Sequence, residues 1–259
     1  MTDTEYLSNC QQENIPDIGP TYLLGIDFET TGTDLENDNI IEVGLVLFDW
    51  DKKKPIVVKD FFIDWSAYPF KISKEISDLT GIYDVYLSTF GVIPEEALRE
   101  IKTMMTFAKY IVAYNGNEFD KPMLINNGKR FAFDFSGRHW LDVMTDIDYP
   151  ESIDTRKLEF LAAKHGFLNP FAHRAVFDVL TMFKIMSQYD LDKIVELAKT
   201  PMIEIRANVN YDDREKAKKL KYQWDGTRKL WTKKVKEIFI KIEEEKASVL
   251  GVRVSRLGV

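Results

Sequence analysis

The chain has 259 residues, of which 45% are apolar and 30% charged, a balance typical of a globular protein with one large domain and an appendage. No apolar run approaches the roughly 18 residues that a membrane-spanning helix needs, so a membrane protein is not expected. Cys10 is the only cysteine, which excludes an internal disulfide and any zinc site with more than one thiolate. A metal site in this chain would therefore use oxygen ligands.

Charge divides the chain into an acidic body and a basic tail. Residues 1–199 hold 20 Lys and Arg against 33 Asp and Glu, a net charge of −13, whereas residues 200–259 hold 15 against 9, a net charge of +6. We predict a polar lead-in at 1–20, an α/β domain at 21–199, and a basic module at 200–259 that meets either a polyanion or only solvent. Met1–Ile18 lacks the basic flank and apolar centre of a signal peptide, so a cytoplasmic location is expected.

The acidic body consists, in chain order, of consecutive strands followed by alternating strands and helices. Short apolar stretches predict five strands: the run from Tyr22, Ile40–Trp50, Pro55–Trp65, Tyr110–Tyr114 and Trp140–Met144. Apolar residues at helical spacing predict helices at Ser73–Leu79, Pro94–Lys109 and Thr155–His165, and either a longer helix or a loop followed by a helix at His173–Tyr189. The first three strands are joined by short turns, so we expect them to be antiparallel. The predicted fold class is α/β, a mixed β-sheet flanked by helices.

Two acids stand two residues apart inside the first apolar run. Successive side chains of a strand point to opposite faces, so Asp27 and Glu29 share one face while Ile26 and Phe28 lie on the other. Two neighbouring carboxylates disfavour each other's ionised form unless a cation or a proton lies between them, so this spacing indicates a divalent metal ion. The alternative is an edge strand with two solvated acids.

Three segments of the acidic body resemble the motifs of one enzyme family. They are Asp27-Phe28-Glu29-Thr30-Thr31-Gly32, the Asn115-x-x-x-Phe119-Asp120 element and His173-Arg174-Ala175-Val176-Phe177-Asp178. In this order they resemble the three motifs of the DEDDh family, which are 3′→5′ exonucleases with a ribonuclease-H-like fold. The second motif is longer than in proofreading subunits and is similar to the version in exonuclease domains of replicative polymerases.

The resemblance implies that residues 21–199 form an exonuclease domain whose active site binds two divalent ions, Mg²⁺ or Mn²⁺. Asp27, Glu29 and Asp178 would be ligands of the catalytic ion, and Asp27 would also reach the second ion. Asp120 would help to position that second ion through water. His173 would act as the general base, a role that suits an imidazole because its unperturbed pKa is ~6.5.

Four further residues are candidates for contact with the terminal nucleotide: Thr30, Asn115, Phe119 and Phe171. Asn115 has an alternative role, because an asparagine before a helix can cap it. Phe119 and Phe171 could stack on bases, or they could simply pack in the protein interior.

Basic residues alternate with aromatic residues in the tail. The pattern predicts a small α+β module with a strand at Ile203–Val209, a basic helix at Asp212–Leu220, a hairpin through Trp224-Asp225-Gly226 and Leu230-Trp231, and an amphipathic helix at Val235–Leu250. The run from Ala217 to Trp231 is similar to a module attached to various DNA-processing proteins. Because bases stack on aromatic rings and phosphates meet cations, the candidates for nucleic-acid binding are Lys218, Lys219, Lys221, Trp224, Arg228, Lys229 and Trp231. The alternative is a module whose tryptophans form its own core.

Motifs and charge together predict a metal-dependent 3′→5′ exonuclease that releases nucleoside 5′-monophosphates. DNA, single-stranded or as 3′ ends, is the expected substrate, and a polymerase or another replication or repair protein is a candidate partner. An exoribonuclease of the same family is the nearest alternative. A non-catalytic nucleic-acid-binding or polymerase-associated subunit is a second one, and the complete set of mutually repelling acids argues against it.

Overall fold

The structure, a computed structural model, describes residues 21–153 and 155–257, so the polar lead-in predicted at 1–20 lies outside the described residues. The chain forms two compact units. The first extends to Val143 and includes Ser152–Gln188, and the second comprises Met144–Glu151 together with the chain from Tyr189 onward. Met144–Glu151 thus belongs with the C-terminal residues. The domain limits at 20/21 and 199/200 stay predictions.

A five-stranded mixed sheet forms the centre of the first unit. Its strands are β1 (Tyr22–Thr30), β2 (Ile40–Asp49), β3 (Lys54–Phe62), β4 (Tyr110–Ala113) and β5 (Trp140–Asp142), in the spatial order β3-β2-β1-β4-β5. β1 pairs antiparallel with β2, and β2 pairs antiparallel with β3. β4 lies parallel to β1, and β5 lies parallel to β4. The predicted antiparallel start and the predicted mixed sheet are confirmed.

Six helices are present in the described part of this unit: α1 (Lys74–Thr80), α2 (Asp84–Phe90), α3 (Pro94–Thr106), α4 (Asp120–Arg130), α5 (Leu158–Lys164) and α6 (Ala175–Met186). The Ser73 side chain caps α1, and Gly81 ends it in the left-handed conformation. Of the two alternatives for His173–Tyr189, the loop followed by a helix is confirmed. His173 has a φ of 62°, outside the helical range, so α6 begins two residues later.

Burial explains the apolar sequences of the central strands. All ten residues of β2 are buried. α6 packs on β1, β2 and β3, and α3 packs on β2. A strand covered on both faces needs apolar residues throughout, so a charged residue within it has a specific role. The charged residues in the middle of β1 and β2 are Asp27, Glu29 and Glu42.

The second unit contains a four-stranded antiparallel sheet in the order β7-β8-β6-β9. Its elements are α7 (Leu191–Lys199), β6 (Met202–Asn208), α8 (Arg214–Lys219), β7 (Gln223–Asp225), β8 (Leu230–Lys236), α9 (Ile240–Val249) and β9 (Arg253–Arg256). Ile205, Ala217 and Tyr222 are buried in its core. The predicted first strand, basic helix and hairpin of the tail are confirmed.

One prediction for the tail is wrong, because no single helix covers Val235–Leu250. Val235 and Lys236 belong to β8 and pair with residues of β6. A 3₁₀ turn at Glu237–Phe239 then precedes α9. Pairing of the backbone across the sheet therefore overrides the helical spacing of apolar residues. Within residues 21–153 and 155–257, no helix is both long enough and apolar enough to cross a membrane.

Candidate active site

Asp27 and Glu29 lie on the same side of β1, as the alternation of a strand requires, and both are half-buried. Helix α6 packs against β1 and brings a third acid, Asp178, to this side. One carboxylate oxygen from each of the three residues lies within 4.8 Å of the other two. Oxygen ligands at this spacing suit a hard divalent cation.

A glycine in β2 allows α6 to lie this close to the sheet. Gly44 is the residue opposite Asp27 in the pairing of β1 with β2. A Cβ atom on Gly44 would come within 2.4 Å of the carbonyl carbon of Ala175 and the nitrogen of Val176. A larger residue there would push the start of α6, and Asp178 with it, away from Asp27.

The turn before α6 fixes the carboxylate of Asp178. The backbone N–H of His173 donates to Asp178 Oδ2 at 3.0 Å, and Asn169 Nδ2 donates to Asp178 Oδ1 at 2.6 Å. The imidazole of His173 is about half exposed, and its Nε2 lies 3.9 Å from Glu159 Oε1. The backbone N–H of His173, the general-base candidate, is therefore hydrogen-bonded to Asp178, a ligand candidate.

Asp120 is the first residue of α4 and is only 2% exposed. β1 stops pairing with β4 after Gly25, and the backbone of Phe28, further along β1, lies near enough to the Asp120 carboxyl group to lower its pKa slightly. Within the described chain Asp120 Oδ1 has no hydrogen-bond partner. A buried carboxylate oxygen without a donor is unfavourable unless a proton or a cation satisfies it. This observation fits a metal ligand.

Burial is the main cause that raises the pKa of all four carboxyl groups. Burial, with repulsion from neighbouring acids, raises the pKa of Glu29 to about 8 and the pKa of Asp27 well above its usual value of 3.8. Burial also raises the pKa of Asp120 to about 8 and that of Asp178 to about 6. In the part of the chain that the structure describes, none of the four forms an ion pair with a lysine or arginine. The donor set therefore fits divalent cations.

Glu42 is a fifth acid on this side of the sheet, and sequence reasoning missed it. It lies opposite Glu29 and is fully buried. Arg174 donates to Glu42 Oε1 from Nε and Nη2, each at 2.8 Å, and the N–H of Ala175 donates to Oε2 at 3.3 Å. Burial still raises the pKa of Glu42, to about 7. Because the guanidinium of Arg174 already faces Glu42, we assign Glu42 a structural role. In the sequence, the feature that could have revealed Glu42 is a charged residue inside an apolar predicted strand.

The side chains of Asp27, Glu29 and Asp178 line a cleft with a volume of about 660 Å³. Its lining residues are Asp27, Phe28, Glu29, Tyr114, Lys157, Leu158, Glu159, His173 and Asp178. The hydroxyl of Tyr114 donates to the backbone carbonyl of Arg156. Lys157 and Glu159 were missed because neither lies in a recognised motif, and only the folding of α5 beside the site reveals them.

Thr30, the last residue of β1, and Asn115, in the turn after β4, were predicted to contact the substrate, but neither is among the cleft-lining residues. The Thr30 hydroxyl donates to the carbonyl of Gly32 at 2.6 Å. Asn115 has a φ of 59°, and its N–H donates to buried Asp142 Oδ1 at 3.0 Å. The alternative role of Asn115 as a side-chain cap is wrong, since α4 begins without a side-chain cap at Phe119.

The two phenylalanines predicted to contact the substrate have different environments. Phe119 is partly buried and packs against the core of the first unit. Phe171 is 55% exposed, and its ring centroid lies 4.7 Å from that of Phe177. Phe171 therefore keeps a solvent-facing ring that could stack on a base, whereas Phe119 has mainly a packing role.

The cations predicted to bind nucleic acid fall into two groups. Lys218 Nζ lies 2.8 Å from Glu215 Oε1, and Arg228 contacts both Glu204, at 2.6 Å, and Asp225. Lys221 also belongs with the first group, since its charge lowers the pKa of Glu151. The second group consists of Lys219 and Lys229, of which Lys229 has a φ of 55°. The first group is therefore partly neutralised by acids of its own unit.

The two tail tryptophans also differ. Trp224 is 52% exposed, and its ring centroid lies 5.5 Å from that of Trp231. Trp231 packs against the small core of the second unit. The core interpretation thus holds for Trp231, and Trp224 presents an open aromatic surface.

Fold and site together define a class, the nucleases with a ribonuclease-H-like fold. The features that define it are the sheet order, the acids on β1, α4 and α6, and the histidine beside them. Family comparison agrees with this class, since the exonuclease family RNase_T matches residues 24–186, more than half of the chain. The chain belongs to this exonuclease family, whose members generally use divalent metal ions. The domain of unknown function DUF8626 matches residues 203–252 in the basic tail. A search of curated proteins by sequence finds no match.

Solved structures of exonuclease I share this fold. The zinc-bound complex of Escherichia coli exonuclease I with single-stranded DNA is 20% identical, with a TM-score of 0.58, over 69% of this chain and 43% of that chain. The E. coli complex with a dA16 oligonucleotide is 15% identical, with a TM-score of 0.63, over 90% and 68%. A complex with SSB-Ct is 16% identical, with a TM-score of 0.61, over 91% and 69%. In the first of these alignments the chain spans less than half the length of exonuclease I.

Proposed function

We propose that this protein is a metal-dependent exonuclease that degrades single-stranded DNA from its 3′ end and releases nucleoside 5′-monophosphates. One observation carries the proposal. Asp27, Glu29 and Asp178 converge without a lysine or arginine partner in the described chain, beside a half-exposed histidine in an open cleft. Clustered acids that repel one another lower stability in the absence of a ligand, so their presence favours a catalytic role.

Asp27, Glu29 and Asp178 would hold one divalent cation, Mg²⁺ or Mn²⁺, and Asp120, whose Oδ1 is unsatisfied within the described chain, would help to hold a second. When bound, such cations supply positive charge that stabilises the attacking and leaving oxygens of a displacement at phosphorus. The protein holds the four carboxylates in place before binding, because β1, α4 and α6 are packed elements.

His173 supplies the proton transfer in this proposal. Its imidazole takes a proton from the water that attacks the terminal phosphodiester phosphorus, at the ring nitrogen that faces the cleft. Glu159, 3.9 Å from Nε2, then stabilises the imidazolium. The bond from phosphorus to the O3′ of the preceding nucleotide breaks, and this O3′ takes a proton from solvent. The products are a 5′-monophosphate and a strand with a new 3′-hydroxyl.

The choice of DNA follows the structures of E. coli exonuclease I with single-stranded DNA, which share the fold of this chain. The complex with SSB-Ct makes that peptide the first protein partner to test. In the second unit, exposed Trp224 and the lysines Lys219 and Lys229 would also contact the strand. A cytoplasmic location stays part of the proposal.

The test uses 5′-labelled single-stranded DNA, duplex DNA and RNA of one sequence, each with Mg²⁺, Mn²⁺ or EDTA. We expect a descending ladder from single-stranded DNA with either metal and none with EDTA, with 5′-monophosphates as products. Immediate release of the labelled nucleotide would show the opposite polarity, and a ladder from RNA alone would identify an exoribonuclease. Binding of all three substrates without cleavage would support a non-catalytic subunit.

A further inference from the structure

The start of α6 is tied to β2 by an acid that the candidate metal site does not use. Glu42 is fully buried and accepts hydrogen bonds from Arg174 Nε at 2.8 Å and from the N–H of Ala175 at 3.3 Å. Arg174 Nη2 also lies 2.8 Å from Glu42 Oε1, and 3.5 Å from Asp60 Oδ2. These donors belong to the two residues that directly follow His173.

We infer that Glu42 and Arg174 form a clamp that positions the imidazole of His173; this role rests on the proposed function. His173 has a φ of 62°, a conformation that is disfavoured for a residue with a Cβ atom. It persists only where the surroundings hold it. The N–H of His173 is fixed by Asp178, and the next residue, Arg174, is fixed by Glu42. Glu42 is thus a positioning residue, since it does not line the cleft.

Loss of the clamp should affect rate more than ion binding. Without the bonds to Glu42 the peptide of His173 can relax toward a commoner conformation, which moves the imidazole. A displacement of about 1 Å at a reacting group costs about 100-fold in rate. Asp27 and Glu29 are on β1, whose backbone is held by pairing with β2 from Tyr22 to Thr30, and Arg174 takes no part in this pairing.

The test compares Arg174→Met, Arg174→Lys and Glu42→Gln with Asp60→Asn as the matched control. Asp60 faces the same guanidinium at 3.5 Å, but its replacement leaves the bonds to Glu42 in place. For Arg174→Met we expect kcat on a saturating short oligonucleotide to fall about 100-fold, with KM and the Mg²⁺ midpoint almost unchanged. Arg174→Lys should recover part of the rate because one ammonium can still donate to Glu42. Asp60→Asn should keep the wild-type kcat.

Two further measurements separate positioning from general stability. Melting temperatures in EDTA report the folded fraction at the assay temperature, and amide hydrogen exchange over residues 173–178 reports the local structure. A fall in kcat that merely follows the unfolded fraction would overturn the inference, as would a wild-type kcat in Arg174→Met with faster exchange. If the wild-type protein cleaves no oligonucleotide, the proposed function fails, and amide hydrogen exchange is then the only test of the clamp. Faster exchange of the Ala175 amide in Arg174→Met then supports the clamp, and unchanged exchange overturns it.

Discussion

The two units of the protein differ in whether their charged side chains are paired with opposite charges. In the first unit Asp27, Glu29, Asp120 and Asp178 gather like charge, and the described chain offers none of them a lysine or arginine partner. In the second unit many cations have acids of the same unit beside them: Lys216 with Asp213, Lys218 with Glu215, Lys233 with Glu243, Lys236 with Asp146, Lys246 with Glu151 and Arg256 with Glu237. Paired surface charges contribute little energy, whereas clustered like charges lower stability until a ligand binds. Asp146 and Glu151 belong to the second unit but lie outside residues 200–259, so the net charge of +6 counted for the tail does not include them and overstates the positive charge of that unit.

The largest effect is expected from removing one of the clustered acids. Asp27→Asn should reduce kcat by about 10³-fold, the upper end of the range for losing one electrostatic stabiliser of the transition state. The melting temperature in EDTA should stay the same or rise, because one repelling charge is gone. Glu100→Gln, which removes an acid paired with Lys59, is the control that keeps activity. Activity near that of the wild type at saturating Mg²⁺ would refute the assignment of Asp27 as a ligand.

The histidine should separate rate from ion binding. His173→Ala should lower kcat by ~10²–10⁴-fold, the usual contribution of a general base, because no other imidazole of the described residues lines the cleft. The Mg²⁺ midpoint, measured by thermal shift, should hardly change. A variant without ion binding would instead identify His173 as a ligand.

The pH dependence of stability tests the clustered acids as a group. The folded-state pKa values of Asp178, Glu29 and Asp120, about 6, 8 and 8, are raised above the unfolded values. The folded state therefore binds more protons, and stability without metal should fall as the pH rises from about 4 toward 8. Each kcal/mol of stability removed lowers the melting temperature by about 2–4 °C. Melting curves in EDTA and in Mn²⁺ should diverge as the pH rises; parallel curves would contradict this prediction.

The smallest effect is expected in the tail. Lys219→Ala with Lys229→Ala should reduce the slope of log affinity against log salt by ~0.7 for each phosphate of single-stranded DNA that the variant no longer neutralises. Lys216→Ala with Lys218→Ala is the matched control, since both lysines are paired with acids at 2.7 and 2.8 Å. Salt titrations of an Asp27→Asn background prevent cleavage during the measurement. Equal slopes for the two double variants would exclude a special role for Lys219 and Lys229.

The sequence predicted most of the elements that position the site, because their signals are local. Alternation at Asp27 and Glu29 depends on neighbours along β1, and the apolar run from Ile40 defines β2 almost to the residue. The end of α1 followed from Gly81, a residue that tolerates the left-handed conformation found there. Such features need no knowledge of distant residues.

The missed features depend on interactions between distant parts of the chain. Glu42 and Arg174 are 132 positions apart, and only the packing of α6 on β2 brings them together. The left-handed turn at His173 shortened a helix whose apolar pattern alone extends further. Val235 and Lys236 joined a strand because β6 offered backbone partners. Pattern analysis sees none of these partners, since each is set by topology.

The membership of Met144–Glu151 in the second unit has a consequence for engineering and for folding during synthesis. Lys236 is 5% exposed and lies 2.6 Å from Asp146 within that unit. A chimeric protein that contained only the residues after Thr200 would bury Lys236 without Asp146. This loss would destabilise the unit by on the order of 3–5 kcal/mol. Any transplant has to carry both segments. On the ribosome, Asp146 emerges long before Lys236, so the ion pair between them forms only after β8 has been synthesised.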